Sequence, residues 1–249
     1  MLAKRCSKVV VPSKCCAELI STIAPGDKVV TIPNGVDFRS GWSMEFNQVL
    51  PRSSGRVRIA TIGQLVEWKR HVTAIEVASR VIARCPTADF LIVGDERMNA
   101  AGPTLDHLKR MIDERGLAGR VTVSGYMNEV SRVLPEIDIL LHPAFPEPFG
   151  RIVVEAMACG CTVIACEGNH GPGEIIRNGI DGLLVPRSVE ELSSAVVGMV
   201  NNPSRRAHIG REAHRRATAQ FGQALMAQRI QNLYCSLVAG SDGRTRPPS

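Results

Sequence analysis

Apolar residues in this chain come in short runs that are apolar throughout, with amphipathic stretches between them. KVVVP (residues 8–12) and KVVTIP (28–33) predict two brief strands. A helix over residues 14 to about 23 separates them, with Ser13 placed to cap it and Pro25-Gly26 to end it. Asn34-Gly35 is a turn signal, and residues 38–55 lack periodicity and read as a connecting segment. From Arg56 strand and helix alternate. Strands are predicted over 57–63 (VRIATIG), 89–94 (DFLIVG), 121–125, 137–143, 162–165 and 182–186. Helices are predicted over 71–84 and 105–115, the latter stopped by Gly116, and over 189–200, 204–220 and about 223–238. The polar, proline-bearing end SDGRTRPPS reads as a disordered tail. Uniformly apolar strands alternating with helices predict an α/β fold with a right-handed, doubly wound parallel sheet. Such sheets bind ligands beyond the carboxyl ends of their strands, where several of these strands carry glycine.

Composition narrows the picture. Of 249 residues, 44% are apolar and only 4% aromatic, which suits strands covered by helices better than an antiparallel sandwich. The net charge of +6 favours anionic ligands or an anionic membrane surface and says nothing of fold. The eight cysteines include no Cys-x-x-Cys, and Cys15 and Cys16 are adjacent, which suits neither a disulfide framework nor a zinc site and points to a reducing cytoplasm. No run is long enough to cross a bilayer, and the apolar stretch after Lys4, Arg5 and Lys8 is too short for a signal peptide. His71, His107, His142, His208 and His214 show no metal-ligand spacing, so no metal is expected. Arg205, Arg206, Arg211, Arg215 and Arg216 make a late helix basic. It has the charge to approach anionic lipid as a peripheral contact, but a solvated face is the default reading. No base-stacking aromatics accompany this charge, so no nucleic-acid partner is expected.

The most informative segment is PEPFGRIVVEAMACG (residues 146–160). It leaves a predicted strand and enters a predicted helix through Phe149-Gly150, so it offers backbone N–H groups and a positive dipole end to an anion. Glu147 and Glu155, with seven residues between them, flank that point. Carboxylates only accept hydrogen bonds, so they suit sugar or ribose hydroxyls. Together they imply a ligand with phosphate at its centre and hydroxyls at both ends.

The segment resembles the Glu-x7-Glu motif of the family-4 (group 1) retaining glycosyltransferases, which have the GT-B fold. That resemblance implies a nucleotide-diphospho-sugar as substrate, with no cofactor and no metal. It implies that Glu147 holds the transferred sugar, that Phe149, Gly150 and Arg151 present backbone N–H groups to the diphosphate, and that Glu155 holds the ribose. GQLVEWKRH (63–71) resembles the family's loop after the first strand, placing Gly63 at the strand end and Lys69 on the lysine that reaches the diphosphate. Gln64 stands where the family carries arginine, and Arg70 is a candidate to compensate. LIVGDE (91–96) resembles the second strand, with Gly94 giving the ligand room, and VSGYMNEV (123–130) places Tyr126 and Met127 near the base. In CEGNHGPGEII (166–176) Glu174 reads as serving the dipole of its own helix, and His170 as an exposed loop residue.

VVVPS and TIPNGVD (residues 9–13 and 31–37) resemble the end of the family's N-terminal domain and its crossover. The implied organisation is an N-terminal-domain remnant over 1–37, a linker over 38–55, a nucleotide-sugar-binding unit over 56–220, a crossing helix over 221–239 and a tail over 240–249. The acceptor side would then belong to a separate N-terminal domain. The alternatives are a non-catalytic nucleotide-sugar-binding subunit or a truncated fragment needing such a partner. An epimerase or phosphorylase of similar fold is a weaker third reading.

Overall fold

The computed structural model describes residues 6–38, 55–96, 101–128, 130–168 and 170–241. The linker expected over 38–55 and the tail expected from 240 lie almost wholly outside them.

Strands β1 (Val9–Val11) and β2 (Val29–Thr31) pair in parallel around helix α1 (Lys14–Ser21). Ser13 caps α1, its Oγ accepting from Cys16 N at 3.3 Å. The main sheet comprises β3 (Val57–Ile62), β4 (Ala88–Val93), β5 (Val121–Gly125), β6 (Ile139–His142), β7 (Thr162–Cys166) and β8 (Leu183–Val185). All six are parallel, in the order β5-β4-β3-β6-β7-β8. The chain starts mid-sheet at β3, winds outward to β5, then returns to lay β6 on the other side of β3. This is the doubly wound topology that the alternation of elements implied, and the winding reverses between β3 and β6. In doubly wound sheets this reversal is where a ligand crevice forms, at the carboxyl ends of the strands.

Side chains alternate between two cores. Ile59, Phe90, Ile92, Ile139, Leu141 and Ile164 face helices α2 (His71–Arg84) and α3 (Leu105–Glu114). Ala60, Leu91, Val93, Leu140, Val163 and Ala165 face the short α4 (Val130–Val133), α5 (Arg151–Ala158) and α6 (Gly171–Ile175). Helix α7 (Val189–Val200) joins the first core, and α8 (Pro203–Gln220) contributes Ala213 and Ala217 to the second. Side chains such as Ile59, Ile139 and Ile164 are fully buried, each worth about 1.5–3 kcal/mol relative to exposure.

Several boundaries differ from the sequence reading. The strand expected from residue 137 begins at Ile139, because Ile137 N closes a 3₁₀ turn onto Leu134 O at 3.1 Å. The last helix, α9 (Gln223–Ser241), runs past residue 238. The arginines of α8 are not one solvated face. Arg206 donates to Met199 O at the end of α7 (2.7 Å), and Arg216 to Ile175 O (2.6 Å). Glu174 also differs. It lies in the first turn of α6, but its carboxylate accepts from Lys14 N (2.8 Å) and Cys15 N (3.0 Å), capping α1 instead. Ser13 Oγ donates to Pro148 O at 2.6 Å, so the β1–α1–β2 unit rests against the loop after β6. None of the helices among the described residues is long and apolar enough to cross a membrane.

Candidate functional site

After β3 the chain passes Gly63 and Gln64 into a 3₁₀ turn, Glu67–Lys69. Arg70 follows at φ 58°, the one positive φ at a non-glycine position among the described residues. Across the switch point, β6 ends at His142 and its loop carries Glu147. The two loops meet: Lys69 Nζ lies 2.5 Å from Glu147 Oε2. The lysine stem crosses Gly63, where a Cβ would sit 3.3 Å from Lys69 Cδ, and Nζ lies 4.2 Å from the centre of the Trp68 ring. Burial raises the Glu147 carboxyl, but the Lys69 ammonium beside it favours the charged form and holds it below the usual carboxylate range. Glu147 is therefore ionised at neutral pH and a weak base. It accepts hydrogen bonds and does not relay protons.

Three buried imidazoles surround this pair. His142 Nε2 lies 3.3 Å from Glu147 Oε2 without the alignment of a hydrogen bond. The Nε2–H of His71 donates to Gln64 O (3.0 Å), and that of His170 to Cys166 O (2.7 Å), leaving both Nδ1 atoms unpartnered. Burial lowers the pKa of each, that of His71 to about 4, so all three are neutral at pH 7. His170 is thus not an exposed loop residue: only 1% of it is accessible, and its ring meets the edge of Phe145 at 5.0 Å. The loop after β7 folds inward and brings it down onto Cys166.

Helix α5 opens on the same crevice. Its N-cap, Gly150, adopts φ 94° and ψ 56°, a left-handed conformation that glycine takes without strain, and no side chain caps the helix. The N–H groups of its first turn therefore lack a side-chain acceptor and sit at the positive end of the dipole. Phe149 is buried against Phe221, ring centres 6.1 Å apart, and anchors the turn; only its backbone is available to a ligand. The Arg151 Nε–H donates to Glu155 Oε1 at 2.8 Å, and burial raises the Glu155 carboxyl more than Arg151 lowers it.

Of the residues singled out from sequence, Gly63, Gln64, Lys69, Glu147, Phe149, Gly150 and Arg151 converge at the switch point, with Glu155 one turn into α5. Tyr126 and Met127 lie beyond β5, two strands from β3; Tyr126 is 69% exposed, whereas Met127 packs against the second core. Gly94 has a different local reason from ligand room: a Cβ there would lie 2.0 Å from Gly63 O, so strand-end contact alone requires glycine. His142, His71 and Trp68 were not assigned to the site from sequence. Their signal was position, at the end of a strand or in the loop beside Lys69, and not spacing.

A doubly wound sheet with an uncapped helix N-terminus and a Lys–Glu pair at its switch point has N–H donors suited to a phosphate and a carboxylate suited to hydroxyl groups. The chain belongs to the family of glycosyl transferases group 1, whose model matches residues 44–216. It is 26% identical over 182 residues to the lipopolysaccharide core biosynthesis glycosyltransferase LpsE of Rhizobium meliloti, covering 73% of this chain and 49% of that protein. It is 30% identical over 165 residues to the D-inositol 3-phosphate glycosyltransferase of Rhodococcus opacus, covering 64% of this chain and 36% of that protein. The crystal structure of Anabaena Alr3699/HepE in complex with UDP and glucose superposes with a TM-score of 0.82 at 25% identity, over 94% of this chain and 65% of that one. The chain spans half or less of the length of these curated relatives.

Proposed function

We propose that this chain is the sugar-donor-binding half of a retaining, metal-independent glycosyltransferase that uses a nucleotide-diphospho-sugar, in the synthesis of a polysaccharide or other glycoconjugate. The observation that carries this reading is the Lys69–Glu147 pair spanning the crevice beside the uncapped N-terminus of α5. The diphosphate lies against the first-turn N–H groups of α5, with Gln64 beside it. Lys69 offsets the negative charge that grows on the departing nucleoside diphosphate. An ammonium has three N–H donors, so Lys69 can hold Glu147 and a phosphate oxygen together. Glu147, held ionised, accepts from hydroxyls of the transferred sugar and fixes its orientation, a positioning role consistent with its depressed pKa. Glu155 takes the ribose hydroxyls, exchanging its contact with Arg151 for them, and Tyr126 offers its exposed ring to the base. The acceptor is bound by a separate domain facing this crevice, and the protein works in the cytoplasm.

Calorimetric titration against UDP-, GDP- and ADP-sugars tests the assignment and reads the base preference. Saturable binding of one nucleotide class supports it, and no binding of any overturns it. Retention is read separately, from the anomeric configuration of a product formed once the acceptor domain is supplied.

A further inference from the structure

Strand β7 ends at Cys166, beside Val185 of β8, and two arginines converge on that end. Arg70 brings its guanidinium to the Cys166 thiol from the turn after β3, and Arg187 carries its charge to the same thiol from the loop after β8. The Arg187 guanidinium lies 3.8 Å from the centre of the Phe145 ring, and Phe145 in turn meets His170 edge-on. Gly168 leaves room for that ring, since a Cβ there would stand 3.0 Å from Phe145 Cε2. Arg70 holds φ 58°, a left-handed conformation that residues with side chains disfavour, so its place at Cys166 is kept against a local cost. Two guanidiniums at one thiol repel each other, yet among the described residues no carboxylate pairs with either. The acid next to Cys166, Glu167, is exposed and joins neither in an ion pair. The cluster adjoins the Glu147 crevice. Phe145 N donates to Trp68 O at 2.9 Å, Gly171 N donates to Glu147 O at 2.8 Å, and the His170 ring lies in the field of both Glu147 and Arg187.

We propose that Arg70 and Arg187 form a carboxylate site for the transferred sugar, so that the donor is a nucleotide-diphospho-uronic acid. Its sugar carboxylate lies between the two guanidiniums and its ring hydroxyls lie on Glu147. A guanidinium presents its N–H groups in a fork that matches a carboxylate, and a neutral hexose would leave both arginines without an anion. The inference rests on the donor-site reading above and narrows it to one substrate class. On that reading Lys69 and the N–H groups of α5 already serve the diphosphate, so the arginine pair is left for an anion on the sugar. The order of strands agrees: diphosphate at β3 and β6, sugar carboxylate further along at β7 and β8.

The test is calorimetric titration of the full 249-residue chain with UDP-glucuronate against UDP-glucose, and with GDP-mannuronate against GDP-mannose. In the base series that binds, the uronate should bind at least about tenfold tighter, as for gain of a hydrogen bond between charged groups. Arg187→Ala, at an exposed position, should remove most of that difference, and Arg187→Lys should keep part of it. Arg70→Gly, which suits φ 58°, should act as Arg187→Ala does. Equal affinity for the uronate and the neutral sugar would overturn the proposal and leave the donor-site reading standing. Variants that weaken both ligands equally, the mark of a structural role, would do the same. Binding of none of the four would also overturn it, and silence toward ADP-glucose as well would take the donor-site reading with it.

Discussion

The Lys69 ammonium is held from three sides: Glu147 accepts from it, the Trp68 ring lies beneath it, and its stem rests on Gly63. Such a charge is already oriented when a diphosphate arrives, so little ordering is lost on binding. Lys69→Ala should raise the Kd for UDP by about 10- to 100-fold, the range for losing one hydrogen bond to a charged group. Gln64→Arg should lower it at low salt, since a guanidinium grips phosphate through two N–H groups where an amide offers weaker, neutral ones. An unchanged Kd in either variant would remove that residue from the diphosphate site. The buried imidazoles make a further prediction about pH. The pKa of His71 is about 4 in the fold against about 6.5 in an unfolded chain, and those of His142 and His170 are also lowered. Between those values the unfolded state binds more protons, so stability is complete above about pH 6.5 and falls as pH drops toward 4. Denaturation midpoints measured across that window should decline, and a flat profile would show that the rings titrate freely. Glu147 was legible in sequence from its place just before a predicted helix start, and Lys69 from the resemblance of its loop to the family's, in register with the Glu motif. The imidazoles were not, because His71, His142 and His170 belong to three separate βα units and only the fold brings them to one place.

Among the elements, α5 and α1 end in different ways. Helix α5 begins at a glycine with no cap and keeps its positive end for a ligand, whereas α1 is capped by Ser13 and closed by Glu174 from α6. Glu174→Ala should therefore loosen α1 by about 1 kcal/mol, the usual cost of a lost cap, and leave the main sheet alone. Hydrogen exchange should show faster exchange over residues 17–21 and unchanged protection in β3 and β6. Uniform loss of protection would instead make Glu174 part of the core. The uncapped start of α5 was legible from Phe149-Gly150 following an apolar strand. The capping of α1 by Glu174 was not, since it joins residues 160 positions apart and a glutamate in a first turn is already explained by its own helix. The start of β6 was misplaced for a related reason: Ile137 is apolar and strand-like, but the 3₁₀ turn at Pro135 takes its N–H.

At the scale of the molecule, the alternation of apolar strands and amphipathic helices was enough to give a doubly wound sheet, because right-handed crossovers leave few other arrangements. The contact of the β1–α1–β2 unit with the loop after β6, and of Val36 with the α8–α9 junction, follows from long-range hydrogen bonds that no local pattern announces. Lys69 and Glu147 meet across the loops after β3 and β6, and on the proposed reading transfer requires a facing domain to position an acceptor and exclude water. The 249-residue chain alone should bind nucleotide yet transfer no sugar, and robust transfer without an added domain would place the acceptor site within these residues. The central claim is the location of the nucleotide, and amide shift mapping with UDP tests it most directly. The account predicts that UDP shifts the amides of Gly63, Lys69, Gly150, Arg151, Glu155 and Tyr126 together, with one common Kd. Shifts confined to residues away from the loops after β3 and β6 and the start of α5, or none at all, would contradict it.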